Sequence, residues 1–189
     1  MPSPEGEFRH IGERTRFEGV FFKVVSATFL DPHGFTFERE IVRHPGAVCV
    51  VPLEDDGESV LMLRQYRGAL DRHVLELPAG KLDVPGEPKA RAAARELVEE
   101  VGRESEHLTE LGHFYNSPGF TDELTTCFLA EGLRAVQNDL QGVEEEHMTI
   151  ERISLSAVDR LVAEGELSDA KSLIALGLTT KLLAARHKA

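Results

Sequence analysis

One segment constrains this chain more than any other: a stretch opened by Glu87-Pro88 and closed by Gly102 that reads as a helix with three glutamates crowded into its last two turns. Proline is tolerated in a first helical turn, and glycine suits the position just past a helix end. Ala94, Leu97, Val98 and Val101 fall at i, i+3, i+4 and i+7, which predicts one apolar face. Glu96, Glu99 and Glu100 then share the opposite side. A solvated helix face is the ordinary reading of such a cluster. Against it, like charges at these spacings repel, and the C-terminal end of a helix dipole disfavours anions. A compensating cation is expected. Closely spaced carboxylates on a rigid element are what Mg²⁺ or Mn²⁺ requires. Arg95 stands four residues before Glu99, so it is placed to hold that carboxylate, although an ordinary surface ion pair has the same spacing.

The rest of the chain alternates strands with few helices. Two β-rich runs, 17–30 and 35–42, flank Asp31-Pro32-His33-Gly34 and predict an N-terminal antiparallel hairpin. Further strands are expected at 47–51, at 59–63 continuing towards Tyr66, from Val74 up to a loop at Pro78 and Gly80, and at 108–115, 125–130 and 148–155. Two helices are expected at 156–164 and 169–186, the second with an apolar face through Leu173, Ile174, Gly177, Leu178, Lys181 and Leu182. One central and two terminal helices among strands point to a mixed sheet covered by helices. At 189 residues one catalytic domain is expected. The predicted division is an N-terminal β segment, 1–45, followed by a domain at 46–189.

Composition excludes several classes. A net charge of −12 argues against a nucleic-acid or anionic-membrane surface, which needs clustered Lys and Arg. No leader-like start or run of about 20 apolar residues is present, so a cytoplasmic location is expected. Cys49 and Cys127 sit in apolar, strand-like contexts without metal-type spacing and are read as reduced core residues.

Glu87, then seven residues, then Arg95-Glu96-Leu97-Val98-Glu99-Glu100-Val101-Gly102 resembles the Nudix box, Gly-x5-Glu-x7-Arg-Glu-U-x-Glu-Glu-x-Gly-U, where U is aliphatic. Six residues rather than five separate Gly80 from Glu87, and Arg103 stands in the last aliphatic position. Neither departure removes a charged position. Outside the box, the segment from Ser117-Pro118-Gly119 to Glu123 is similar to that of the ADP-ribose pyrophosphatase branch, with Pro118 sixteen residues past Gly102. Leu77-Pro78-Ala79-Gly80, Gln65-Tyr66-Arg67 and the closing 165–170 pattern resemble the same branch.

The resemblance implies an α/β fold, the Nudix-type α/β/α sandwich with a mixed β-sheet, carrying an N-terminal antiparallel β-hairpin segment. It implies an enzyme that hydrolyses the pyrophosphate of a nucleoside diphosphate sugar, with ADP-ribose giving AMP and ribose 5-phosphate. Metal (Mg²⁺, or Mn²⁺) would be held by the Ala79 carbonyl, Glu96 and Glu100, with Glu99 assisting and Arg95 positioning. Arg43 and Arg67 would contact the adenosine or phosphate part, and Pro118 and Glu123 would belong to the substrate loop. The N-terminal strands would be exchanged in a homodimer, and the partner is a small nucleotide sugar rather than a nucleic acid or membrane. The catalytic base, also a metal ligand, would come from the loop before the last strand. Alternation favours Glu146 or Glu144 over Glu145, and the register stays open between them. Two other readings remain: a Nudix hydrolase of another substrate, such as GDP-mannose or a dinucleotide, and an inactive nucleotide-binding module. The intact glutamates speak against the latter.

Overall fold

The computed structural model describes residues 6–137 and 147–188. They form two compact units. The first runs through Gly46 and takes in Tyr115–Leu124; the second combines Ala47–Phe114 with the chain from Thr125 onward.

The first unit is a three-stranded antiparallel sheet of β1 (Arg9–Glu18), β2 (Lys23–Leu30) and β3 (Thr36–Arg43), in that order. The expected hairpin is β2 with β3. Its turn is closed by the Asp31 carboxylate, which accepts from the backbone N–H of His33 (2.9 Å) and Phe35 (2.8 Å), while Gly34 supplies the positive φ of 86°. The run expected at 17–30 is in fact broken by a turn in which Gly19 N–H donates to Phe22 O, and a third strand, β1, precedes it. Every residue of β1 is exposed, so the strand has no buried face and no alternation to betray it. Segment 115–124 joins this unit through Val42, whose N–H donates to Phe120 O (2.8 Å) and whose carbonyl accepts from Asp122 N–H (3.3 Å).

The second unit is built on β4 (Ala47–Pro52), which is buried at all six positions. An unbroken apolar strand is expected where helices cover both faces. Val48 and Val50 point into a cluster with Ala92, Ala93, Leu97 and Val101 of α1 (Lys89–Val101). Cys49 and Val51 point the other way, into a cluster with Leu161 of α2 (Val158–Ala163) and Ala175 and Leu176 of α3 (Ala170–Arg186). A sheet between helical layers follows, the α/β/α sandwich. A four-stranded sheet has the order β7-β4-β9-β8, with β7 (Ala79–Lys81) antiparallel and β9 (Leu124–Ala135) parallel to β4, and β8 (Arg103–Tyr115) at the edge. The other sheet, β10-β5-β6, is antiparallel: β10 (Thr149–Ser154), β5 (Ser59–Arg67) and β6 (Arg72–Glu76). Between β6 and β7 the chain changes sheets at Leu77-Pro78, so the expected loop at Pro78 is the crossing point.

Both amphipathic assignments shift on the structure. In α1 the buried residues are Ala92, Ala93, Glu96, Leu97, Glu100 and Val101, so Glu96 and Glu100 lie on the buried face, and Ala94 and Val98 lie beside it. In α3 the fully buried positions are Ser172, Ala175, Leu176 and Thr179; of the expected face Leu173 and Leu182 pack half-buried against the core, Leu178 is half-buried, and Ile174, Gly177 and Lys181 are exposed. Small side chains let the helix approach the sheet, and Thr179 Oγ satisfies itself on the Ala175 carbonyl (2.9 Å). Cys49 and Cys127 are both free and buried, as expected, and sit opposite each other on β4 and β9.

Candidate active site

The site grows from the contact of α1 with β7. Gly102 adopts the left-handed conformation (φ 63°) and donates its N–H to Leu97 O and Val98 O, which stops the helix at Val101. That fixes Glu96 and Glu100 in the last two turns, facing the edge strand. β7 is held against β4 by the pairs Ala47 with Lys81, Val48 with Gly80 and Cys49 with Ala79. Gly80 therefore passes directly beneath Glu96, where a Cβ would come within 1.9 Å of the Glu96 carboxyl carbon and Oε1. Only a residue without a side chain allows this approach. One residue earlier, Ala79 N–H donates to Glu100 Oε2 (2.9 Å). At 8% and 4% exposure, both carboxylates are withdrawn from water, which is costly for an anion without compensation.

Arg95 supplies part of it. Its Nη1 lies 2.8 Å from Glu99 Oε2 and 2.8 Å from Glu96 Oε1, while Nη2 reaches Glu87 Oε2 at 3.3 Å. Burial works against the guanidinium charge, but the hydrogen bond to Glu87 and the fields of Glu96 and Glu99 outweigh it and raise the Arg95 pKa above its ordinary value. The expected Arg95–Glu99 pair is present, and it is one contact of three. Three carboxylates, Glu87, Glu96 and Glu99, thus meet one arginine, a formal excess of two negative charges, and Glu100 adds a further carboxylate on the same helix that accepts from the Ala79 N–H instead. Among the described residues no three His, Cys, Asp or Glu side chains converge as a ready-made metal cage. Glu144 and Glu146 lie outside the described residues.

A second polar cluster in the same unit was not expected. Arg67, at the end of β5, makes a two-point contact with Glu76 of β6: Nε to Oε1 at 2.7 Å and Nη2 to Oε2 at 2.9 Å. Glu76, only 2% exposed, also accepts from Lys171 Nζ at 2.5 Å, and Lys171 pairs with Asp169 Oδ1 at 3.0 Å. Asp169 caps α3 by accepting from Ser172 N–H (3.0 Å). These groups line a cavity of about 380 Å³, with Arg72 and Ser168 on its wall. Sequence signals for the cluster existed. Glu76 interrupts an apolar strand run, and Lys171 stands in the first turn of a helix, where the dipole opposes a cation, so both require partners.

In the first unit, Arg43 is held by Glu13 Oε2 (2.6 Å) and Asp122 Oδ2 (3.1 Å), and the Glu13 hydrogen bond leads in raising its pKa. Asp122 also accepts from His44 N–H (2.8 Å). Pro118 lies in a turn in which Phe120 N–H and Thr121 N–H both donate to Ser117 O. Glu123 follows it, its N–H on Thr121 Oγ (3.2 Å) and its carbonyl accepting from Asn116 N–H (3.2 Å). Glu13 and Asp122 had no part in the sequence-based expectation.

A sandwich with buried glutamates at the end of its central helix, pinned over a glycine of the edge strand, defines a class. The NUDIX domain model matches residues 43–176, and the protein belongs to that family of hydrolases. It is 41% identical over 145 residues to the ADP-ribose pyrophosphatase of Bacillus subtilis (strain 168), with 77% of each chain covered. To the ADP-ribose pyrophosphatase of Mycobacterium tuberculosis (strain ATCC 25618 / H37Rv) it is 39% identical over 163 residues, covering 86% of this chain and 78% of that one. A solved structure of an ADP compounds hydrolase superposes with a TM-score of 0.83 over 100% of both chains at 24% identity, which shows the shared fold.

Nudix hydrolases generally use divalent metal ions. The residues fit such an ion: oxygen donors only, two of them buried carboxylates on a rigid helix end, with negative charge in excess of the one arginine.

Proposed function

We propose that this Nudix hydrolase cleaves the pyrophosphate of ADP-ribose to AMP and ribose 5-phosphate, using Mg²⁺ or, in its place, Mn²⁺. The observation that carries the reading is the pair Glu96 and Glu100, buried yet ionisable, seated on the Ala79-Gly80 backbone. The names of the two bacterial relatives support the choice of substrate.

In this reading Glu96, Glu100 and the Ala79 carbonyl hold the ion, with Glu99 assisting and Glu146 as a further ligand. A bound divalent cation acidifies water and offsets charge on the diphosphate. Arg95 keeps Glu96 and Glu99 in fixed rotamers, so the donors need not reorganise during the reaction. Glu146 or Glu144, outside the described residues, takes the proton of the attacking water. Arg67 binds a phosphate oxygen, and Arg43 contacts the adenosine or phosphate part. Pro118 and Glu123 shape the substrate loop.

The reading extends to a homodimer acting in the cytoplasm, with residues 1–45 as the exchanged segment. Exposure of every β1 residue, with Phe17 in it and Phe8 and Phe35 in the same unit each more than half exposed, supports a partner surface there. Chromatography of products from ADP-ribose, GDP-mannose, NADH and diadenosine polyphosphates tests the substrate. AMP and ribose 5-phosphate from ADP-ribose are expected; rapid turnover of another member with none of ADP-ribose rejects it.

A further inference from the structure

Glu76, Lys171 and Asp169, around the head of α3, take no direct part in the proposed reaction, and their arrangement does more than pair charges. Arg67 and Lys171 are matched by Glu76 and Asp169, a formally neutral set. A buried ion pair of this kind is often no more stable than apolar side chains of similar volume. What the set does achieve is geometric. Glu76 is fixed from two sides, by the Arg67 fork and by Lys171 Nζ, and Lys171 is in turn fixed by the helix cap Asp169. Arg67 is thereby locked at Nε and Nη2, while Nη1 has no acceptor among the described residues and the side chain is 41% exposed at the cavity wall.

Glu76 Oε2 is shared between Arg67 Nη2 and Lys171 Nζ. A carboxylate shared between two cations neutralises neither completely, so the open edge of the guanidinium stays attractive to an anion. Glu76, which holds Arg67, stands three residues before Ala79, whose N–H meets Glu100, so one short segment across the strand-to-strand crossing carries both the cavity's carboxylate and the backbone under the helix glutamates.

We propose that Lys171 and Glu76 are positioning residues for substrate binding: they hold Arg67 with its Nη1 edge towards the cavity so that it receives a phosphate oxygen of the diphosphate. This rests on the pyrophosphatase reading above, and acts only through Arg67.

The test is a double-mutant cycle in the full chain with Lys171→Met and Arg67→Ala, reading kcat and KM for ADP-ribose at saturating Mg²⁺, with Lys171→Arg as the conservative variant. Lys171→Met raises KM roughly tenfold, the scale of one charge-assisted contact, with kcat within about twofold. In the Arg67→Ala background the same substitution changes KM by less than about twofold, because the group it positions is gone. Lys171→Arg recovers most of the wild-type KM. A purely structural lysine would instead give equal effects in both backgrounds, or lower kcat and melting temperature with KM unmoved, and either result overturns the proposal while leaving the reaction intact. Absence of ADP-ribose turnover by the wild type would overturn the reaction and this role together.

Discussion

Replacing Gly80 by alanine should injure activity more than stability, because the added methyl strikes the site's own carboxylate. An ideal Cβ at this position lies 1.9 Å from Glu96 Cδ and Oε1 and 2.5 Å from Cγ, where ordinary contact begins near 3.4 Å. The Glu96 carboxylate must therefore retreat by about 1.5 Å, since β7 cannot yield without breaking its pairing to β4. A displacement of this size at a reacting centre costs about 100-fold or more in rate, or ~2.7 kcal/mol of transition-state stabilisation. Overpacking costs about 1–3 kcal/mol of stability, equivalent to roughly 2–4 °C in Tm per kcal/mol for a chain of this size. The backbone of Gly80 is outside the left-handed region, so the strain is steric and specific to Glu96. Measuring kcat/KM with ADP-ribose and Mg²⁺ beside Tm separates the two. In a Glu96→Ala background, where the obstructing group is gone, Gly80→Ala should lower Tm no further. Retention of kcat/KM within about threefold of wild type, or an equal Tm loss in both backgrounds, would refute the reasoning.

Arg95→Met leaves the carboxylates of Glu87, Glu96 and Glu99 without their shared cation, so it should destabilise by roughly 3 kcal/mol in chelator and by less in Mg²⁺; calorimetry in both buffers checks this. Glu100→Gln should reduce kcat/KM with Mg²⁺ at least about 100-fold, with Tm nearly unchanged, because the amide oxygen still accepts from Ala79 N–H; equal rates would defeat the assignment. Burial alone would lower the pKa of Lys171, but Glu76 and Asp169 outweigh it and raise it above the ordinary 10.5. Its contribution is thus complete below pH 10.5 and lost as pH rises through the folded value, so urea denaturation should show stability falling above that pH, with a shallower fall in Lys171→Met.

What was legible in the sequence was whatever carries its signal locally. The cap at Gly102, the turn at Asp31 and the apolar run of β4 each follow from residue types at a few adjacent positions. The glutamate spacing in the Nudix box located the helix that carries the candidate site. The orientation of that helix was not legible, because the stripe rule assumes that buried means apolar. Glu96 and Glu100 break the rule, and Ala92, Ala93, Ser172 and Ala175 weaken it by being small. Local conflict of this kind is expected where function overrides packing. The Arg67–Glu76–Lys171 cluster was missed for another reason: its members are 9 and 95 residues apart, and only the pairing of β5 with β6 and the docking of α3 join them. The strand β1 escaped because it has no buried side.

Titration of Mn²⁺ followed by electron paramagnetic resonance tests the central claim without relying on turnover. The wild-type chain should take up the ion, and Glu96→Gln/Glu100→Gln, still folded by circular dichroism, should lose at least about tenfold in affinity. Equal Mn²⁺ uptake by the two proteins would mean that the buried carboxylates over Gly80 are not where the metal is held.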